Sequence, residues 1–285
     1  MAQLLKAAAV VAAMKEDLLV RADALRAQGV VPVLAIVRVG DRADDLAYER
    51  GAEKRCASVH VDVRSVVLPE TCSDSELQAE LAALNRDRDV HGILLLRPLP
   101  GHLDEAAACA ALAPEKDVDG VTEASLAGVF AGSGRGYAPC TAQACMALLD
   151  YYGINCRGKR AVVLGRSLVI GKPAAMLLLQ KNATVTICHS GTEDVPEVLR
   201  EADIVIAATG KMESLGAACF RAGQTVIDVG MSWNEEKQKF CGDVRFEEAE
   251  PLVDAISPVP GGVGGVTTCI LAQHVIAAAE VMLAS

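Results

Sequence analysis

Short apolar runs alternate with longer amphipathic stretches along the chain, and that alternation predicts strands separated by helices. Residues 3–28, rich in Ala and Leu, predict an amphipathic helix ending near Gly29. The run VPVLAIVRV at 31–39 predicts a strand buried on both faces and stopped by Gly40-Asp41. A helix is expected over 44–58, a second strand over 61–68, and a helix over 73–87 that opens on a Ser73/Glu76 capping box. A third strand, 92–96, is broken by Pro98 and Pro100. Strands and helices joined by short links indicate a parallel sheet.

The Gly-rich stretch 120–136 is expected to be a loop, and 142–152 a helix joining two halves. The second half reads as strand 161–164, helix 173–181, strand 184–188, helix 194–201, then strands at 203–208 and 225–229. The tail from 267 to 283 has no strand character and reads as a helix able to pack back on the first half. Two α/β domains are therefore expected, 1–138 with 267–285 and 139–266.

One junction carries chemistry. In AVVLGRSLVIGKP, residues 161–173, an apolar run stops at Gly165, a polar turn holds Arg166 and Ser167, and Gly171-Lys172-Pro173 opens a helix. Strand, glycine turn and helix start form a phosphate site, because free N–H groups and the positive end of the helix dipole point outward. The spacing is G-x5-G rather than G-x-G-x-x-G, and an ordinary βα turn has the same look. An NAD site places an acidic residue roughly twenty positions after its first glycine, on the ribose hydroxyls. Here His189 and Ser190 follow strand 184–188 instead, and Arg166 offers a cationic fork. That chemistry favours NADP over NAD. A surface Arg and a strand-capping His are the alternative.

Composition narrows the classes. The chain has 285 residues, 52% hydrophobic, with net charge −10 and 3% aromatics. Neither a basic stripe nor stacking platforms for nucleic acid are present. Ten cysteines are scattered without a C-x-x-C pair, which is not zinc spacing, and several sit in apolar runs as small hydrophobes. No metal is expected, and a reducing cytoplasmic setting fits. AAAVVAAM near the start has too few preceding charges for a secretion signal, and no apolar run is expected to span a membrane.

Further polar groups fall past predicted strand ends, where open α/β sheets bind ligands. Lys116-Asp117-Val118-Asp119-Gly120 sets two carboxylates beside a turn glycine. A carboxylate there can accept two hydrogen bonds from an amidine-like edge such as a pterin, or it can be a solvated acidic turn. SPVPGGVGG at 257–265 lets backbone approach a flat ligand, or simply connects to the last helix. Tyr48, one of four tyrosines, reads either as a ligand contact or as packing.

Together these motifs resemble a known family. VGD at 39–41 with Tyr48, RPLP at 97–100, PEKDVDG at 114–120, PCT at 139–141, GRSLVIGKP at 165–173, CHSGT at 188–192, ADIVIAATGK at 202–211, VIDVG at 226–230, GDV at 242–244 and SPVPGGVGG occur in the order of bifunctional methylenetetrahydrofolate dehydrogenase/cyclohydrolases. The resemblance spans nearly the whole chain. It implies a homodimer of two-domain α/β subunits, each with a parallel-sheet folate domain and a Rossmann-like NADP domain, folate lying between them. It implies Tyr48 and Asp119 as catalytic and folate-binding residues, with Leu96, Pro260, Gly261 and Gly262 in the pocket wall. Gly165, Arg166, Ser167, Gly171, His189, Ser190, Thr209 and Gly210 are implied as the cofactor set, Arg166 and Ser190 near the 2′-phosphate.

The departures bear on activity. The family's catalytic Lys, four residues after the Tyr, is here Ala52; Lys54 lies two further on, rotated away. The family Gln two places before the first Pro of its PLP motif is Leu96, and Arg97 is expected on the opposite side of the strand. Asp45 stands for a family Ser, and Gly265 and Val266 for Pro and Met. The expected activity is an NADP-dependent dehydrogenase of methylenetetrahydrofolate with weak or lost cyclohydrolase. Full bifunctionality through Asp45 or Lys54, a non-catalytic nucleotide- or pterin-binding paralogue, and action on a modified carrier stay open.

Overall fold

The computed structural model describes residues 1–284. In chain order the first elements are β1 (Gln3–Leu4), α1 (Ala7–Ala27), β2 (Val33–Val39), α2 (Ala43–Ala57), β3 (Asp62–Leu68), α3 (Asp74–Arg86), β4 (Gly92–Leu95), α4 (Glu105–Ala110), α5 (Glu123–Ala131) and α6 (Cys140–Tyr151). There follow β5 (Arg160–Leu164), α7 (Gly171–Gln180), β6 (Thr184–Cys188), α8 (Val195–Glu201), β7 (Ile204–Ala207), β8 (Thr225–Asp228), β9 (Ser232–Asn234), β10 (Lys239–Cys241), α9 (Phe246–Ala249), β11 (Ala255–Ile256) and α10 (Val263–Leu283). The fold is a two-unit α/β architecture: residues 12–140 and 268 onward form one compact unit, residues 1–11 and 141–267 the other.

The first of these holds a three-stranded parallel sheet, ordered β3-β2-β4. Leu34, Ala35, Ile36 and Val37 of the central strand are all fully buried, as a continuous apolar run between two covered faces requires. On α3 the capping box forms in both directions between Ser73 and Glu76. Its Leu77, Leu81 and Leu84, spaced at helical period, enter the core with Val37, Ile93 and Leu95. Full burial of each such leucine contributes roughly 1.5–3 kcal/mol.

Segment 120–136, expected as a loop, contains α5. Thr122 caps it through Oγ1, which accepts from the Ser125 N–H at 3.1 Å, and Gly132 ends it at φ +62°. Gly128 sits inside this helix because a Cβ there would come within 1.9 Å of the Arg135 carbonyl oxygen. Glycines that looked like loop composition are a cap and a close contact.

The other unit holds a six-stranded parallel sheet, ordered β1-β11-β8-β7-β5-β6. From β5 the chain steps outward to β6, then returns to β7 on the other side, so the strand order reverses at β5. The first helix, expected from residue 3, starts at Ala7, because Gln3 and Leu4 pair with Ala255 and Ile256 at the sheet edge. That pairing carries the first residues into this unit. The β9–β10 hairpin stacks Trp233 edge-on to Phe240 at 5.2 Å, and both remain substantially exposed.

By length and composition α10 could cross a membrane, contrary to the expectation that no apolar run has that reach. It is a packed helix: Val266, Ile270, Leu271, Ala272, Val275, Ile276 and Ala279 are buried. Its Glu280 is held by the Arg21 guanidinium at 2.7 and 2.9 Å.

Candidate active site

On α2, Tyr48 is half-buried, and Asp45, Glu49, Ala52 and Cys56 are buried. Glu49 is committed within the fold, accepting from Arg38 Nε at 2.8 Å and Ser65 Oγ at 2.6 Å. Ala52 is wholly buried one turn beyond Tyr48, whereas Lys54 is exposed. The Asp45 carboxylate makes no hydrogen bond among the described residues. α2 therefore brings no ammonium group to the face that carries Tyr48.

Leu96 extends the ladder by one bond, its N–H donating to the Val37 carbonyl at 2.9 Å, and its side chain is buried. Arg97 was expected across the strand from Leu96. In fact β4 ends at Leu95, two residues before Arg97, so strand alternation does not govern it. Its guanidinium lies 3.7 Å from Glu105 and acts electrostatically on Asp119.

The KDVDG segment separates into two roles. Lys116 is buried and donates to the Leu84 and Asp87 carbonyls. The buried Asp117 accepts from the N–H groups of Val121 and Thr122 at 2.9 and 2.8 Å and from Ser125 Oγ at 2.7 Å. Three donors fix that carboxylate as the anchor of the loop and of α5. Asp119 has no such set and keeps partial exposure. Burial pushes its carboxyl up to about 6, while the Arg97 cation pulls it down. Burial and the Asp119 charge hold the Tyr48 phenol well above its ordinary value. Tyr48 and Asp119 thus share one electrostatic environment.

Two residues behind Asp119 have no clear sequence signal. His274 of α10 donates from Nδ1 to the Val118 carbonyl at 2.8 Å, and its ring lies 4.9 Å from that of Tyr137. Cys140 Sγ donates to the same carbonyl at 3.2 Å. Burial, with the Asp119 charge, pushes the Cys140 thiol far up, so it stays protonated. Burial pushes His274 down to about 4. Both are neutral groups bracing the Val118–Asp119 backbone. Cys140 carries no signal of its own beyond the PCT motif, and His274 sits mid-helix like any packed residue.

The other unit carries the phosphate-type turn. Gly165 has φ +132°, and a Cβ on it would lie 2.3 Å from the Ala208 carbonyl oxygen. A Cβ on Gly171 would lie 2.2 Å from the Gly165 carbonyl oxygen. Both glycines are required by close backbone approach at the start of α7. Ser167 Oγ accepts from the N–H groups of Ile170 and Gly171 at 3.2 and 3.5 Å, so its hydroxyl caps α7. Arg166 is exposed and unpaired among the described residues. After β6, His189 Nδ1 accepts from the Gly191 N–H at 3.0 Å, and its own N–H donates to Thr192 Oγ1 at 2.9 Å. Ser190 is exposed, and this closed turn, 189–192, contains no carboxylate. A glycine cradle, a helix N-terminus, a free guanidinium and a turn without anions suit a phosphorylated dinucleotide.

Thr209 and Gly210 follow β7, next to Gly165 through Ala208, and their N–H groups both donate to Asp243 Oδ2. Asp243 was missed as a residue, since only the GDV triplet had been singled out. Pro260, Gly261 and Gly262 form the turn before α10. Gly261 has φ +100°, and its carbonyl accepts from the Ala7 N–H at 2.8 Å.

Comparison with known proteins shows the family. Residues 5–119 match the catalytic domain, and residues 139–283 the NAD(P)-binding domain, of tetrahydrofolate dehydrogenase/cyclohydrolase. The bifunctional protein FolD of Carboxydothermus hydrogenoformans is 48% identical over 283 residues, covering 99% of both chains. The crystal structure of the bifunctional FolD enzyme of Campylobacter jejuni superposes with a TM-score of 0.96 at 35% identity, over 98% of this chain and 99% of that one. That of Trypanosoma brucei methylenetetrahydrofolate dehydrogenase-cyclohydrolase, complexed with NADP and an inhibitor, gives 0.93 at 33% identity over 100% and 99%. The chain belongs to the tetrahydrofolate dehydrogenase/cyclohydrolase family.

Proposed function

We propose that this protein is an NADP-dependent 5,10-methylenetetrahydrofolate dehydrogenase whose cyclohydrolase activity is weak or lost. One observation carries the second half: the two positions expected to manage protons hold Ala52 and Leu96, both buried, and neither side chain has a polar atom. The reading of those positions rests on the family pattern around Tyr48 and the RPLP segment.

Asp119 is the group for the pterin edge, because its carboxylate, unlike that of Asp117, is not consumed by backbone donors. Tyr48 offers a half-buried ring and a hydroxyl that stays protonated. Pro260, Gly261 and Gly262 are proposed as further folate-binding residues. Gly165, Gly171, Thr209 and Gly210 would lie along the dinucleotide, with Arg166 and Ser190 at its 2′-phosphate and Ser167 and His189 shaping the turns. The bound dinucleotide supplies the hydride acceptor. Loss of hydride from the one-carbon bridge is driven by the folate nitrogens, so the protein has chiefly to orient the two rings. Hydrolysis of the methenyl product needs a proton relay as well.

A second reading, full bifunctionality, is favoured by the bifunctional FolD relatives and by Asp45, three residues before Tyr48, whose carboxylate makes no hydrogen bond among the described residues. A reducing cytoplasmic setting is supported by ten cysteines, none disulfide-bonded. A homodimer is supported by the exposed Trp233 and Phe240 of the β9–β10 hairpin, joined by exposed Met231. The test is an absorbance assay with methylenetetrahydrofolate and NADP. NADPH formation is expected, and its absence would leave a non-catalytic binding protein.

A further inference from the structure

Two buried carboxylates stand behind the Thr209–Gly210 turn: Asp243, which holds both amides, and Asp228, which holds the Asp243 N–H. Asp228, at the end of β8, accepts from the N–H groups of Gly230 and Asp243 on Oδ1, both at 3.0 Å, and from Val244 on Oδ2 at 2.9 Å. Asp243, fully buried, accepts from Thr209 and Gly210 on Oδ2 at 2.5 and 3.1 Å. Its Oδ1 is the one buried side-chain N or O atom without a partner among the described residues. The packing is closed around both. A Cβ on Gly230 would lie 2.3 Å from Asp243 Oδ1, and one on Gly242 would lie 1.9 Å from Asp228 Oδ2.

A buried acceptor left unsatisfied costs about 1–3 kcal/mol, more when charged. A carboxylate that leaves one oxygen bare while the other holds two consecutive amides is poorly spent on stability alone. What it achieves is local. Thr209 and Gly210 stand at the C-terminal end of β7, beside the strand at which the order reverses, where open α/β sheets receive dinucleotides. Gly210 is exposed and has φ +66°, and within the loop Thr209 Oγ1 accepts from the Lys211 N–H at 2.9 Å, so Asp243 is the tie that joins this tip to the rest of the unit. Asp243 is in turn fixed through its own N–H to Asp228 and through its carbonyl, which accepts from the Leu215 N–H at 3.0 Å.

We infer that Asp243 is a positioning residue for the cofactor: one carboxylate oxygen locks the Thr209 and Gly210 backbone in the conformation that receives the dinucleotide, and Asp228 sets the carboxylate in place. The inference rests on the proposed NADP site. Burial pushes the Asp228 carboxyl up to about 7, against the pull of the Val244, Asp243 and Gly230 N–H donors.

The test combines calorimetric NADP affinity without folate, KM for each substrate, and thermal melting. Asp243→Ala should weaken NADP binding about tenfold or more while KM for methylenetetrahydrofolate changes less than about twofold. Asp243→Asn, whose carbonyl oxygen can accept both amides, should restore NADP affinity to within about threefold. Parent-like NADP affinity in the Ala variant, or equal losses for both substrates, overturns the inference and leaves a structural residue. Should the Ala variant not fold, Asp243→Glu carries the test, because it keeps the charge but displaces the acceptor. NADP affinity must then fall, and an unchanged value overturns the inference. Absence of NADP binding by the unmodified protein would overturn the proposed function and this inference together.

Discussion

Ala52 stands one helical turn beyond Tyr48 on α2, its methyl group wholly buried where Tyr48 is half-buried. The pairing sets a potential ligand contact above a side chain that can neither donate nor accept a proton. Lys54, the nearest ammonium along the helix, is exposed.

Cofactor choice is the first consequence. Arg166 is unpaired among the described residues, Ser190 is exposed, and turn 189–192 contains no carboxylate to repel a 2′-phosphate. NADP should be preferred over NAD. Arg166→Ala should weaken NADP selectively by about 1.5–3 kcal/mol, roughly ten- to hundredfold, as for a charge-assisted contact. Ratios of kcat/KM for the two nucleotides check this, and equal values in the unmodified protein would contradict it.

Asp119 gives a pH signature. An ionised carboxylate accepts both hydrogen bonds from a pterin edge, and burial pushes this one up to about 6. KM for methylenetetrahydrofolate should therefore rise as pH falls below about 6, with NADP affinity little changed. Asp119→Ala should abolish folate-dependent turnover and leave calorimetric NADP binding intact. Undiminished folate affinity in that variant would make Asp119 an acidic turn residue like any other.

His274 predicts part of the acid stability profile. Burial pushes its ring from an ordinary 6.5 to about 4, so an unfolded chain takes up this proton well before the folded one. Its contribution is complete above pH 6.5 and lost as pH falls to about 4. Asp228 runs the other way: raised from 3.8 to about 7, it contributes fully below pH 3.8 and loses that share as pH rises through about 7. His274→Asn, which can still donate to Val118, should flatten denaturant midpoints between about pH 4 and 6.5. An unchanged acid limb would contradict the burial argument.

Much of this was legible in the sequence because it is local. The apolar run through Leu34–Val37 could only be a strand covered on both faces, and Ser73 with Glu76 marked a helix start that formed as written. The glycines at 165 and 171 announced a close turn, and the structure supplies the reason in two backbone contacts. What depended on distant partners was not legible. β1 and β11 are two residues each and exist only because they pair. α5 was hidden by glycines serving as a cap and a contact. Nothing in KDVDG tells which Asp is consumed by the loop until Val121, Thr122 and Ser125 are seen to surround Asp117. Asp243 becomes informative only when it meets Thr209 and Gly210 across the fold.

The most direct measurement follows the loss of methenyltetrahydrofolate in the presence of the unmodified protein and of a double variant, Ala52→Lys with Leu96→Gln. General acid–base help is typically worth about 10²–10⁴-fold, and neither Ala52 nor Leu96 can supply it. Hydrolysis by the unmodified protein should stay near the uncatalysed rate while NADPH formation from methylenetetrahydrofolate proceeds, and the double variant should gain hydrolysis. Rapid hydrolysis by the unmodified protein would contradict the account and return the relay to Asp45 or another group.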